Sequence, residues 1–162
     1  MHPTESDLVY AGFWRRFGAA VIDSILIYLV MFALLLSVYG TVYLEDPRAN
    51  WGVADGLITY GLPIALTLAF WIKKAATPGK MAIGAKIVDA RTGGQPSTKQ
   101  FVIRYFGYIL STLPLFLGYL WVVFDSRKQA WHDKLAGTVV VRRKTGATEQ
   151  VRFEQSLNKP MA

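Results

Sequence analysis

The feature that most restricts the fold is the stretch Phe17 to Tyr39, an apolar run of 23 residues with a single charge in it, Asp23. A helix rises about 1.5 Å per residue, so this run reaches roughly 34 Å, enough to cross a hydrocarbon core about 30 Å thick. It reads as a membrane-spanning helix. A carboxylate within such a helix costs about 2.5 to 3.5 kcal/mol on insertion scales, which the surrounding Leu, Ile, Val and Phe residues offset. Arg15 and Arg16 precede the run as in a signal peptide. The run is too long for a signal h-region, however, and Leu36 to Gly40 offers no small-x-small cleavage site.

Two further apolar runs follow. Gly56 to Ile72 holds 17 uncharged residues between Trp51 and Lys73-Lys74, a second span near the short end of the range, with a kink expected at Pro63. Tyr105 to Phe124 holds 20 uncharged residues interrupted by Pro114 and Gly118. It crosses once, or turns back at Pro114 as a re-entrant hairpin. Of the 18 Lys and Arg residues, seven lie between residues 73 and 104 and eight after residue 126. The positive-inside rule places both groups in the cytoplasm, with the N-terminus, and favours the hairpin. Each arm would then reach only about 15 Å and need cover from the other helices.

Between the runs the pattern changes. Met81 to Ala90 and Thr138 to Arg142 read as short strands, and an unpaired strand leaves its ladder empty, so the two are expected to pair on the cytoplasmic side. Residues 125–137 alternate charge with Trp131 and Leu135, as a short interfacial helix capped by Gly137 would. Residues 1–10 read as a mobile lead, 11–144 as one membrane domain and 145–162 as a polar, disordered tail. The fold class is thus an all-α membrane bundle: two full spans, a third apolar helix or re-entrant hairpin, and a short cytoplasmic strand pair.

Composition narrows the chemistry. The chain of 162 residues is 52% hydrophobic yet carries a formal charge of +7. Its cations flank apolar runs, so the expected anionic partner is lipid headgroup and not nucleic acid. There is no cysteine, which excludes disulfides and thiolate metal sites, and His2 and His132 are too few for an imidazole-rich metal centre. Thr77-Pro78-Gly79-Lys80 lacks the upstream glycine of a phosphate-cradling loop, and there is no Gly-x-Ser-x-Gly nucleophile elbow. No enzyme activity, cofactor or metal is expected.

The candidate site residues are charges near the apolar runs. Arg16 and Asp23 lie seven apart, two helical turns, so they share a face about 10 Å apart, while Val21, Ile25 and Leu29 lie elsewhere. Asp23 is an ion or proton site, or a structural partner for an arginine or a helix backbone. Arg104, at the mouth of the third run, pairs with Asp125 or Asp133 or meets lipid phosphate, the last being favoured. His132 beside Asp133 suggests a proton relay, although adjacent helical residues diverge by about 100°, which favours a structural interface instead.

Three motifs taken together resemble the RDD family of small bacterial membrane proteins: Gly12-Phe13-Trp14-Arg15-Arg16 leading to Asp23; Thr77-Pro78-Gly79-Lys80 before Ile87-Val88-Asp89; and Trp131-His132-Asp133-Lys134-Leu135-Ala136-Gly137-Thr138. The resemblance covers roughly residues 10 to 143 and implies that Arg16 is the signature arginine and Asp23 the first aspartate. Asp133, with Asp125 as rival, is then the second. It also carries a proposed transport role and no catalytic mechanism. The expectation is therefore a multi-pass inner-membrane protein that handles a proton, cation or small polar solute at an inward cluster of Arg16, Asp23 and Asp133, with Asp125, His132 and Arg104 nearby. Three helices cannot enclose a pathway, so a homo-oligomer or larger membrane complex is implied. The alternative is a non-transporting scaffold or assembly partner whose buried charges fix helix packing.

Overall fold

The structure, a computed structural model, describes residues 8–45 and 52–143. The expected disordered tail lies outside these residues, as do residues 1–7. The chain opens with strand β1 (Leu8–Tyr10) and runs straight into helix α1 (Phe13–Tyr39). The long helix stops at Gly40, whose φ of +66° favours glycine and whose N–H closes on the Leu36 carbonyl at 2.9 Å. Val21, Ile25 and Leu29 are 42, 55 and 61% exposed. On a water-soluble protein that would be a large apolar liability; on a helix long enough to span a bilayer it is the lipid-facing side.

A short helix α2 (Val42–Glu45) follows, and then the second span. It comprises α3 (Val53–Gly56), a π-helical turn at Leu57–Gly61 and α4 (Leu62–Lys74), together one 22-residue helix. Pro63 is expected to kink this helix. The ring deprives the Thr59 carbonyl of its usual partner, and the chain answers with the wider turn, in which the Leu62 N–H reaches back to Leu57. Lys73 and Lys74 sit in the last turn, where cations suit the carbonyl end of a helix.

After the one-turn helix α5 (Pro78–Ala82) come strand β2 (Ala85–Asp89), helix α6 (Thr98–Thr112), helix α7 (Leu117–Leu120) with a 3-10 turn at Trp121–Val123, helix α8 (Trp131–Ala136) and strand β3 (Thr138–Arg143). Helix α6 starts at Ser97, whose hydroxyl accepts the Gln100 N–H while the Gln100 amide oxygen accepts the Ser97 N–H.

The two expected strands pair: β2 runs antiparallel to β3, with Ile87 opposite Val140. One expectation fails. Leu8–Tyr10 is no mobile lead but a third strand on the other edge of β3, giving the order β1-β3-β2. Leu8 and Val9 are buried, and a three-residue strand is easily read as tail because it is too short to show alternation. Side chains alternate across the sheet, so Val140 and Ile87 join Ala11, Trp71 and Phe101 on the helix side, while Val139, Val141 and Val88 pack with Leu8 on the other. Helix α8 is also shorter than the interfacial helix expected across residues 125–137, though Gly137 closes it in the left-handed conformation as expected.

The sheet decides the path of the third apolar run. Strand β2 precedes it and β3 follows it, and both belong to one sheet, so the run returns to the side it left. Thr98–Thr112 and Leu117–Val123 meet at 113°. The bend lies at residues 113–116, around Pro114, and it closes where Gly118 meets Ser111. A Cβ on Gly118 would lie 2.5 Å from Ser111 Cα and 2.7 Å from its Cβ. Gly118→Ala is therefore expected to destabilise the protein by about 1–3 kcal/mol through overpacking. Gly18→Ala, with nothing within 4 Å, is expected to leave stability unchanged or slightly raised. Unfolding midpoints of the two variants in SDS titrations check the difference.

Candidate functional site

Asp133 is the centre of the charged cluster. It occupies the first turn of α8, where one oxygen accepts the backbone N–H of Ala130 at 3.0 Å and so caps its own helix. The same oxygen is paired with Arg16 of α1, and the other with Arg104 of α6. Asp133 and Arg104 are fully buried. Burial alone would raise the Asp133 carboxyl, but Arg104 and then Arg16 outweigh it and hold the group well below the usual carboxylate range.

Arg16 uses all three of its guanidinium nitrogens. Besides Asp133 it donates from Nε to the Ala11 carbonyl at 2.7 Å and from Nη2 to the Lys128 carbonyl at 2.5 Å. It thereby joins the start of α1 to the loop before α8, a planar fork that lysine could not reproduce. Arg104 reaches Thr138 Oγ1 of β3 at 2.7 Å, and its guanidinium lies 5.4 Å from the Trp71 ring centroid. The favoured reading of Arg104 as a contact for lipid phosphate is corrected: the side chain is buried and its counter-ion is Asp133. Helix spacing alone could not reveal this, because the partner lies 29 residues downstream on another element.

Asp23 does not join Arg16. Its carboxylate accepts the Thr77 hydroxyl at 2.5 Å and the Gly79 N–H at 2.6 Å, capping α5 from a neighbouring helix. Thr77 stands in the capping position with extended backbone, yet its hydroxyl serves Asp23, so Asp23 supplies the acceptor that a cap residue normally provides. Pro78, at the first helical position, has no N–H to satisfy. Gly79 is required by the approach: a Cβ there would strike the Ala19 carbonyl of α1 and lie 2.8 Å from Asp23 Cγ. Thr77 is also only three residues beyond Lys74, at most about 11 Å of chain. The carboxylate thus sits toward the end of the second span that carries Lys73 and Lys74. Asp23→Ala is expected to cost about 1–3 kcal/mol by orphaning the Gly79 N–H, and Asp23→Asn, which retains an acceptor, clearly less; chemical unfolding of both in detergent checks the order.

Asp125 is separate again. It pairs with Lys134 and accepts the N–H groups of Arg127 at 3.0 Å and Gln129 at 3.1 Å, so it pins the loop before α8. Burial opposes its ionised form, but Lys134 and the two N–H groups prevail and hold it below the usual range. Of the two candidates for the second signature aspartate, Asp133 is the one that Arg16 reaches.

His132 stands beside Asp133 on α8 with its Nε2 3.8 Å from Asp133 Oδ1, while its ring packs against Tyr108 with centroids 4.0 Å apart and against Tyr119 at 5.2 Å, and its Nδ1 lies 3.2 Å from Ser111 Oγ. Gly107 makes this possible, since a Cβ there would lie 2.8 Å from His132 Cα. Burial pushes the imidazole down to about 3, with Arg104, Arg16 and Lys80 adding to the decrease and Asp133 opposing it. The ring is neutral at physiological pH, which does not suit a relay that must gain and lose a proton there.

Beside the cluster lies a cavity of about 540 Å³ between α1, the α6–α7 hairpin and α8. Arg16, Lys80 and Arg104 line it, with Tyr108, Tyr119 and His132, and no carboxylate is among the lining residues. Phe13, Phe17 and Leu120 form an apolar part of the wall. Lys80, Tyr108 and Tyr119 were not singled out by the sequence as site residues. The signal for Lys80 was its place in the Thr77-Pro78-Gly79-Lys80 turn; the tyrosines carried none, being two of several aromatics in an apolar run. Among the described residues, no three His, Asp or Glu side chains gather as a metal site.

The chain is 31% identical over 147 residues to the uncharacterized protein YxaI of Bacillus subtilis, covering 81% of this chain and 96% of that one. It is 30% identical over 154 residues to the uncharacterized membrane protein YteJ of the same organism, covering 88% of each. An uncharacterized protein of Rickettsia prowazekii is 44% identical over 75 residues, which is 46% of this chain and 41% of that longer protein. No solved structure matches the chain. The model of the RDD family matches residues 10–137, from the end of β1 to the cap of α8. That match covers most of the chain, and with its apolar spanning helices the chain is a membrane protein that belongs to the RDD family.

Proposed function

We propose that this is a multi-pass protein of the bacterial inner membrane, with its N-terminus and three-stranded sheet in the cytoplasm, and that its role is transport-related: it takes a small solute into the cavity between α1, the hairpin and α8. The observation that carries the reading is the lining of that cavity, three cationic side chains and no carboxylate. Of the solutes the sequence suggests, this lining favours a polar solute with negative charge over a proton or metal cation, because Asp23, Asp125 and Asp133 are all engaged by protein donors. The basic segments 73–104 and 127–143 share one sheet, which supports a common cytoplasmic side. A single chain has too few helices to enclose a route, so the working unit is a homo-oligomer or a larger membrane complex, surrounded by anionic headgroups.

Purified protein in proteoliposomes, assayed for flux of acetate, phosphate, chloride, sodium, potassium and protons, tests this reading. Anion flux above that of empty vesicles supports it, and no flux of any of the six overturns it. A second reading is favoured by the way Asp133 ties α1, α6 and α8 together: a non-transporting scaffold whose buried charges fix packing. It expects Asp133 variants to lose abundance and a co-purifying membrane complex, with no flux in the wild type.

A further inference from the structure

Lys80 extends from α5 into the cavity, where its nearest hydrogen-bonding neighbour is Thr77 Oγ1 at 3.4 Å and its ammonium lies 6.0 Å from the Trp71 ring centroid. No carboxylate pairs with it among the described residues. Arg104, fully buried on the same wall, shares Asp133 with Arg16, and its Nε has no hydrogen-bond partner. Three guanidinium or ammonium groups stand against Asp133 and, one hydroxyl away from Lys80 through Thr77, Asp23, so the cluster keeps a net positive charge, and His132 is neutral. An ammonium with no directly paired carboxylate, facing a cavity whose charged wall is net positive, suits an anion.

The rest of the cavity is apolar and open on the lipid side. Phe17 of α1 and Phe116 of the hairpin bend both line it and are 54 and 60% exposed, on the surface that carries the other exposed apolar residues of α1. A free inorganic anion has no use for these side chains. A molecule with an anionic head and an acyl chain satisfies both ends.

We propose that the cavity binds one anionic membrane lipid, entering sideways from the bilayer between Phe17 and Phe116, with its phosphate on Lys80, in the positive field of Arg16 and Arg104 behind it, and the start of its chain against Phe13, Phe17 and Leu120. The proposal rests on the same cavity as the transport reading but not on flux. Lipid held without flux leaves it standing and removes transport, and flux without lipid selectivity does the reverse.

The test uses the full-length protein in detergent, with native mass spectrometry counting lipid carried over from equal mixtures of phosphatidylglycerol and phosphatidylcholine. One phosphatidylglycerol per chain is expected, preferred by at least about tenfold, the weight of one charge-assisted hydrogen bond. Lys80→Gln is expected to reduce the preference about tenfold and Lys80→Arg to restore it. Ala20→Phe, which fills the cavity from α1 without altering charge, is expected to remove the bound lipid and decides the matter if Lys80→Gln does not fold. Equal carry-over of the two lipids, displacement of phosphatidylglycerol by inorganic phosphate, or lipid unaffected by both Lys80→Gln and Ala20→Phe would overturn the proposal.

Discussion

Asp133→Ala is expected to destabilise the protein by about 3–5 kcal/mol, enough to abolish accumulation in the membrane. The magnitude follows from what remains. Arg104 is fully buried, and without Asp133 it keeps a positive charge with the Thr138 and Tyr108 hydroxyls and the Trp71 ring beside it but no counter-ion on its own wall. Arg16 loses the same counter-ion but is 13% exposed and still donates to two carbonyls, so it suffers less. The order of effects should therefore be Asp133→Ala, then Arg104→Ala, then Arg16→Ala, read as membrane abundance and SDS unfolding midpoints. Replacing the pair together, with Arg104→Met and Asp133→Leu, is expected to recover part of the loss, because both desolvated charges go at once.

Acid is expected to weaken the fold through His132. Its folded-state value of about 3 lies below the ordinary 6.5, so between these limits the unfolded chain binds the proton and the folded one does not. The stabilisation is complete above pH 6.5 and declines by about 1.4 kcal/mol per unit as pH falls toward 3. From pH 7 to pH 4 the loss is about 3 kcal/mol. The groups around the ring come from every neighbouring element: Arg16 of α1, Lys80 of α5, Arg104 and Tyr108 of α6, Tyr119 of α7 and Asp133 of α8 itself. Asp133 also has a lowered value, but its contribution is lost only below about 3.8, outside the upper part of this window. Unfolding at a series of pH values should show the decline, and His132→Gln should flatten it between pH 6.5 and 4.

How much of this the sequence could reveal depended on whether the signal was local. The first span, the turn at Pro114, the β2–β3 pairing and the Gly137 cap could all be read from runs of apolar residues, breakers and charge bias. The pairings could not. Arg16 and Asp23 share a helix face, which suggested that they belong to one inward cluster. The chain instead sends each to a different partner, Arg16 to α8 and Asp23 to α5, because both partners arrive from far along the sequence. Leu8–Tyr10 is a strand only because β3 offers it an edge. Lys80 reads as one more basic residue in a basic segment until α5 is seen packed on α1 beside an open cavity.

Everything in the site depends on Asp133 being shared across three helices, and a double-mutant cycle addresses that directly. Arg16→Met, Asp133→Asn and the double variant are unfolded in SDS beside the wild type. The expected result is a coupling energy of about 1–3 kcal/mol between the two positions, the range for residues in one buried charge network. Strictly additive losses would mean that the two side chains do not meet, and that the clamp between α1 and α8 does not exist.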